Sequence, residues 1–259
     1  ELLNIFSQQI FDREKEKEIA QNIKCLSKIS NKISRKVRDQ YENNPYPRWF
    51  STELEYRPLS ITEFIKRAEL KTTNKHLSNI ENPKILIAGC GTGQHSILTS
   101  SRFKNCKVTA IDLSKKSLAY AKRKTEELGI KNIEYYQADI LDLKNTFSDF
   151  DIIESAGVLH HLEDPISGWN SLNSLLKPGG IMKIGLYSKL AREHIFLNQK
   201  EIKEMKLLPI TEDIKIFRNT IINSNKEHHR KLIESPDLFS LSEVRDLLFH
   251  VQEHTFTIP

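Results

Sequence analysis

Three glycines at alternate positions (Gly89, Gly91, Gly93), two aspartates (Asp112, Asp139) and the pair His160-His161 are the residues here whose types and spacing could do chemistry. The glycines are a third of the nine in the 259-residue chain, and they follow directly on the apolar run Ile85-Leu86-Ile87-Ala88. An apolar run ending in a glycine turn reads as a buried strand whose C-terminal end wraps tightly around a ligand. Asp112 closes a second strand-like run, where a carboxylate can accept hydrogen bonds from two ribose hydroxyls. Asp139 closes a third and is placed for an adenine amino group, with Leu113 and Ile140 able to sandwich the ring; the bland alternative is a turn cap. The dinucleotide fingerprint is Gly-x-Gly-x-x-Gly, whose third glycine admits close helix packing. This chain has Gly-x-Gly-x-Gly, which disfavours a nicotinamide oxidoreductase without naming the ligand.

The elements that must position these residues alternate regularly. Strands are expected at 84–88, 107–112, 132–137, 150–155 and 181–187. Helices are expected at 94–103, from the Ser114 cap to Leu128 with a stop at Gly129, and over Pro165–Leu176. This pattern gives an α/β fold, a Rossmann-like doubly wound and mostly parallel sheet with ligands at the strand C-termini. Residues 83–188 would be that core. Residues 1–82 would be an N-terminal helical cap. It has an apolar patch over residues 2–11, then a helical face from Ile19 to Tyr41 that breaks and recaps at Ser30-Asn31, and a helix at Ile61–Leu70. Between these, Tyr41 to Trp49 holds two prolines among aromatic side chains, either a packing plug or a lid over a pocket. Residues 189–259 would be a helical substrate-side region, with helices at 190–205, 212–234 and from a Ser242 cap to Phe249. No sixth or seventh strand is evident after Ser188, so the sheet is either cut short after strand five or completed differently.

Composition narrows the classes. The content is 38% apolar and 28% charged with net charge +5. The lysines are spread beside glutamates, as on a solvated surface rather than a nucleic-acid groove. No apolar run approaches a bilayer span. Cys25, Cys90 and Cys106 have no metal-ligand spacing, so reduced thiols and a cytoplasmic location are expected. His228-His229 and the pair His250/His254 lack a Glu or Cys at a recognised zinc spacing, so no metal is expected. The chain starts at Glu1, which suits a piece of something longer.

The strings Ile87-Ala88-Gly89-Cys90-Gly91-Thr92-Gly93, Ile111-Asp112 and Ala138-Asp139 resemble the first three motifs of class I S-adenosylmethionine-dependent methyltransferases. Val158-Leu159-His160-His161-Leu162 and Leu176-Lys177-Pro178-Gly179-Gly180 resemble the fourth and fifth. Tyr41 to Trp49 and Asp246 to His254 are similar to a bacterial subgroup often fused to tetratricopeptide repeats, which implies an upstream repeat region as partner. The resemblance implies S-adenosylmethionine as cofactor and S-adenosylhomocysteine as product. Gly89, Cys90, Gly91 and Gly93 would wrap the methionine portion and ribose, Asp112 the ribose hydroxyls, and Asp139 with Leu113 and Ile140 the adenine. Ser155 and Gly157 would floor the pocket, and Tyr41 and Trp49 would cover it. His160 and His161, with Tyr46 as a partner, are the implied catalytic residues for an acceptor that must lose a proton. A small molecule or peptide is the expected acceptor, and a catalytically silent cofactor-binding scaffold is the rival.

Overall fold

In the computed structural model, Ile85, Leu86, Ile87 and Ala88 are all fully buried, as expected of a strand covered on both faces. The structure describes residues 10–72, 77, 79–144 and 146–257; the apolar residues Leu2, Leu3, Ile5 and Phe6 lie outside these. The strands are β1 (Lys24–Cys25), β2 (Lys84–Ala88), β3 (Lys107–Asp112), β4 (Ile133–Gln137), β5 (Phe150–Ala156) and β6 (Leu176–Gly185). They form one sheet in the order β1-β4-β3-β2-β5-β6. Every named pair is parallel. The helices are α1 (Asp12–Asn22), α2 (Lys32–Asn43), α3 (Ile61–Arg67), α4 (Gln94–Arg102), α5 (Lys115–Glu127), α6 (Pro165–Asn173), α7 (Glu193–Glu204), α8 (Thr211–Ile222), α9 (Glu227–Ile233) and α10 (Leu241–Leu248).

Alternation along β2 sends Ile85 and Ile87 into one apolar core and Leu86 and Ala88 into the other, so the sheet is buried on both faces. A third core, around the fully buried Phe217, packs α7, α8, α9 and α10 together. Gly93 has a left-handed φ of +87°, and a Cβ there would lie 2.4 Å from Ala121 Cβ. Close packing against α5 therefore depends on the last glycine of this shorter motif.

Local chemistry explains most boundaries. Asn31 caps α2 by accepting from the Ile33 and Ser34 amides, and Ser114 caps α5 through Ser117 N–H. The Ile19–Tyr41 face recaps at Asn31 but breaks earlier than expected: α1 ends at Asn22, and the stretch before α2 holds β1, which pairs with Tyr136 and Gln137 at the sheet edge; two residues carry no periodicity. α6 stops at Asn173 and β6 starts at Leu176, so Lys177-Pro178-Gly179-Gly180 belongs to the strand and not to a loop before it. The register shift between Phe150 and Ile152 absorbs that stretch. Ser240, not Ser242, is the residue before α10. After β6 a lone parallel bridge joins Ser188 to Phe256. Among the described residues, no helix is long and apolar enough to cross a membrane.

Candidate active site

A cavity of about 310 Å³ opens at the C-terminal ends of the central strands. Here β2 pairs with β3 on one side and β5 on the other, the reversal point where open α/β sheets bind ligands. Gly89, at φ +77°, approaches so closely that a Cβ would sit 2.4 Å from Val158 Cγ2. Gly91 faces the Tyr46 carbonyl oxygen, which its Cβ would meet at 3.2 Å. The turn is bare backbone because nothing larger fits.

Asp112 steadies this turn. Its Oδ2 accepts the Gly91 N–H at 2.8 Å and its Oδ1 the Ser114 N–H at 2.9 Å. Burial raises its pKa while these amides hold it down, and each oxygen keeps a lone pair for a ligand. Asp139 differs. Its Oδ1 accepts the Leu141 N–H at 3.1 Å, but its buried Oδ2 has no partner. Burial pushes this carboxyl up, opposed by the Leu141 amide and by the Ser34 hydroxyl, which stands near it without hydrogen-bond alignment. A buried acceptor left unmade is costly, so the site is one N–H donor short. Leu113, Ile140, and Ser34 and Val37 of α2 line the same end.

At the other end the cavity is lined by Tyr41, Tyr46, His161, Tyr187 and Asp246. Tyr41 donates its hydroxyl to Asp246 Oδ1 at 2.7 Å, and its oxygen lies 3.1 Å from His250 Nε2. His250 Nδ1 accepts the Gln252 N–H, so Nε2 carries the ring proton and donates to Tyr41. His161 Nδ1 lies 2.7 Å from the Gln252 carbonyl, which can only accept. The proton is thus on Nδ1, and Nε2 keeps a lone pair. The rings of His161 and His250 stack at 3.6 Å.

Burial sets the charge states. It lowers His161 to about 4 against the Gln252 bond, and His250 to about 2, aided by His161. It raises Asp246 to about 6, opposed by the Tyr41 bond. It also pushes the phenols of Tyr41, Tyr46 and Tyr187 upward. The phenols therefore stay neutral, and the proton acceptors at this end are His161 and Asp246.

Of the residues expected from the sequence, Tyr41, Tyr46, Gly89, Cys90, Gly91, Asp112, Leu113, Asp139, Ile140, Gly157 and His161 share the cavity wall. Four do not. His160 is fully buried, stacked on Tyr187 at 3.7 Å, and lowered to about 3 chiefly by burial; it lies behind Tyr187, outside the cavity wall. Trp49 is buried, donates Nε1–H to Thr92 O at 3.1 Å and packs edge-on against Tyr120. It packs as a plug, while Tyr46 and Pro47 line the cavity. Gly93 serves helix packing, and the fully buried Ser155 is not among the lining residues. Residues not expected are Tyr187, Asp246 and His95, which lines the mouth and pairs with Glu154 at 2.6 Å. Tyr187 closely follows a strand end, where the rule that found Asp112 would also have found it. Asp246 opens the 246–254 stretch that carries the subgroup resemblance, which gives it no role.

A doubly wound parallel sheet with a bare glycine turn and two acids at its reversal point defines a domain that holds a nucleoside-bearing cofactor. A family described as "Methyltransferase domain" matches residues 79–234, and the chain belongs to it. An uncharacterised protein of Synechococcus sp. is 39% identical over 46% of this chain and 29% of its own length. A ubiquinone biosynthesis O-methyltransferase of Acinetobacter baylyi is 26% identical over 62% of this chain and 66% of its own. The structure of PKMT2 from Rickettsia typhi in complex with AdoHcy has the same fold, with TM-score 0.53 and 22% identity over 68% of this chain and 36% of that one. This chain thus spans under two thirds of each.

The cofactor is S-adenosylmethionine. The cavity fits it in the donor that Asp139 Oδ2 lacks, of the kind an adenine amino group would supply.

Proposed function

We propose that this protein methylates an acceptor that gives up a proton during transfer, a small molecule or a peptide, with His161 as the base. The observation that carries this reading is the His161 tautomer. The Gln252 carbonyl fixes the proton on Nδ1, which leaves Nε2 unprotonated as the proton acceptor, a base that burial weakens by holding the ring at about 4. Asp112 and the glycine turn would hold the ribose and methionine portion, and Asp139 with Leu113 and Ile140 the adenine. S-adenosylmethionine supplies an activated methyl group on a sulfonium when bound. Alignment of the acceptor and exclusion of water then account for most of the rate. Tyr46 and Pro47 cover that end, and the neutral Tyr46 hydroxyl offers a proton donor to the acceptor. An upstream repeat region and a cytoplasmic setting belong to the same proposal.

The test is calorimetry with S-adenosylhomocysteine, followed by methyl-transfer assays over hydroxyl- and amine-bearing acceptors. Single-site binding is expected, with turnover that His161→Gln lowers about 10²–10⁴-fold and His160→Gln lowers far less. Binding without turnover on any acceptor would favour a scaffold module. Equal losses for the two histidine variants would remove His161 as the base.

A further inference from the structure

Between Tyr187 and Asp246 in the chain, α7 and α9 bring together a cluster with no part in the chemistry above. Glu201 Oε1 lies 2.7 Å from His228 Nε2, and Oε2 lies 3.3 Å from His229 Nε2. The ligand atoms of the three residues all fall within 4.8 Å of one another. His229 is fully buried; its Nε2 sits beside Glu201 Oε2 without hydrogen-bond alignment, and its Nδ1 has no partner. One turn earlier on α7, Asn198 is also fully buried; its Nδ2 donates to the His228 carbonyl at 3.3 Å, and its Oδ1 has no partner. Orphaned polar atoms at a buried helix contact need a physical reason, and the contact as it stands supplies none.

A metal ion supplies one. We propose that Glu201, His228 and His229 bind a transition-metal cation, zinc by ligand type, which clasps α7 to α9. Two histidines and a carboxylate are a zinc donor set that leaves a fourth position for water. Ligands about 2.1 Å from a common tetrahedral ion lie about 3.4 Å from each other, close to the separation of His229 and Glu201. The His228 contact is of hydrogen-bond length and opens slightly to admit the ion. Lys226 Nζ, 2.8 Å from Glu201 Oε1, holds the oxygen that the ion does not need, the usual place for a partner that orients a ligating carboxylate. Adjacent histidines gave no zinc spacing because the carboxylate comes from 27 residues earlier, across a helix contact.

The experiment is titration of chelator-stripped protein with Co²⁺, read by visible absorption, then displacement by Zn²⁺, with melting followed by circular dichroism. The expected result is saturation at one equivalent with intense four-coordinate bands and a melting point raised by zinc. Glu201→Gln and His228→Ala should each weaken Co²⁺ binding at least tenfold. The near-isosteric Glu201→Gln carries the comparison if His228→Ala fails to fold. No saturable band in the wild type overturns the proposal, as does an affinity that Glu201→Gln retains, which would place the ion at other histidines. The readouts need neither cofactor nor acceptor, so they stand apart from the proposed methyl transfer.

Discussion

Replacing Asp139 by alanine tests the adenine end of the cavity directly. In the free protein the change removes one accepted N–H, from Leu141, and also a buried oxygen that has no partner. The lost bond contributes about 1 kcal/mol, and relief of the unmade acceptor returns about the same. Stability should therefore move by under about 1 kcal/mol. Binding should not be spared. A hydrogen bond to an ionised carboxylate contributes about 1.5–3 kcal/mol, so S-adenosylhomocysteine affinity should fall roughly 10- to 150-fold. The decisive ligand is the 6-oxo analogue, which carries hypoxanthine in place of adenine and lacks the amino donor. Calorimetry should show the wild type preferring the amino compound and Asp139→Ala nearly indifferent. If the variant weakens both ligands equally, Asp139 shapes the turn and does not read the base. Unchanged affinity for the amino compound would refute the argument from the orphaned oxygen altogether.

Gly89→Ala combines a left-handed φ with a Cβ driven into Val158; backbone strain of about 1–2 kcal/mol adds to overpacking of about 1–3 kcal/mol. In a denaturation cycle, Val158→Ala should return the second part only, and strict additivity would contradict the clash. Trp49→Ala should cost about 3–5 kcal/mol of stability and leave S-adenosylhomocysteine affinity little changed, as measured by melting and calorimetry under conditions where the variant is folded. His160, His161 and His250 are held at about 3, 4 and 2, below the ordinary 6.5. Between pH 6.5 and 4 the unfolded chain binds their protons and the folded chain does not, so stability falls as pH falls. Asp246, raised from 3.8 to about 6, binds its proton in the folded state first and opposes this with one proton. The net of about two protons gives a slope near 2.7 kcal/mol per pH unit around pH 5, and His250→Asn should flatten it in urea titrations; a flat wild-type profile would contradict the buried neutral rings.

The sheet was legible because parallel strands buried on both faces are written as apolar runs, and each ends in a residue of distinctive type. Gly89, Asp112 and Asp139 stand at such ends, so strand periodicity and residue type located them together. His160 and His161 could not be told apart, since adjacent residues share every local signal and differ only in which ring Tyr187 covers. Trp49 misled because an aromatic beside prolines looks the same as plug or lid; its indole N–H to Thr92 O decides it. Asp246 and His250 were hidden by distance, about 200 residues from Tyr41. Their register on and just past α10 is one that any amphipathic helix end could show.

The link between Tyr41 and Asp246, with Gln40 Oε1 accepting the Val251 N–H at 3.2 Å, also bears on how the protein is made. Synthesis runs at about 5–20 residues per second and early segments fold first, so all six strands leave the ribosome before α10 does. Until residue 246 emerges, α2 can lie against the sheet without its far anchor, and the cavity lacks one wall. Cofactor that binds more tightly once that wall is in place draws the population toward the finished arrangement by mass action. The cell's cofactor pool would then act as a late checkpoint on the newborn chain, well before any methyl group moves.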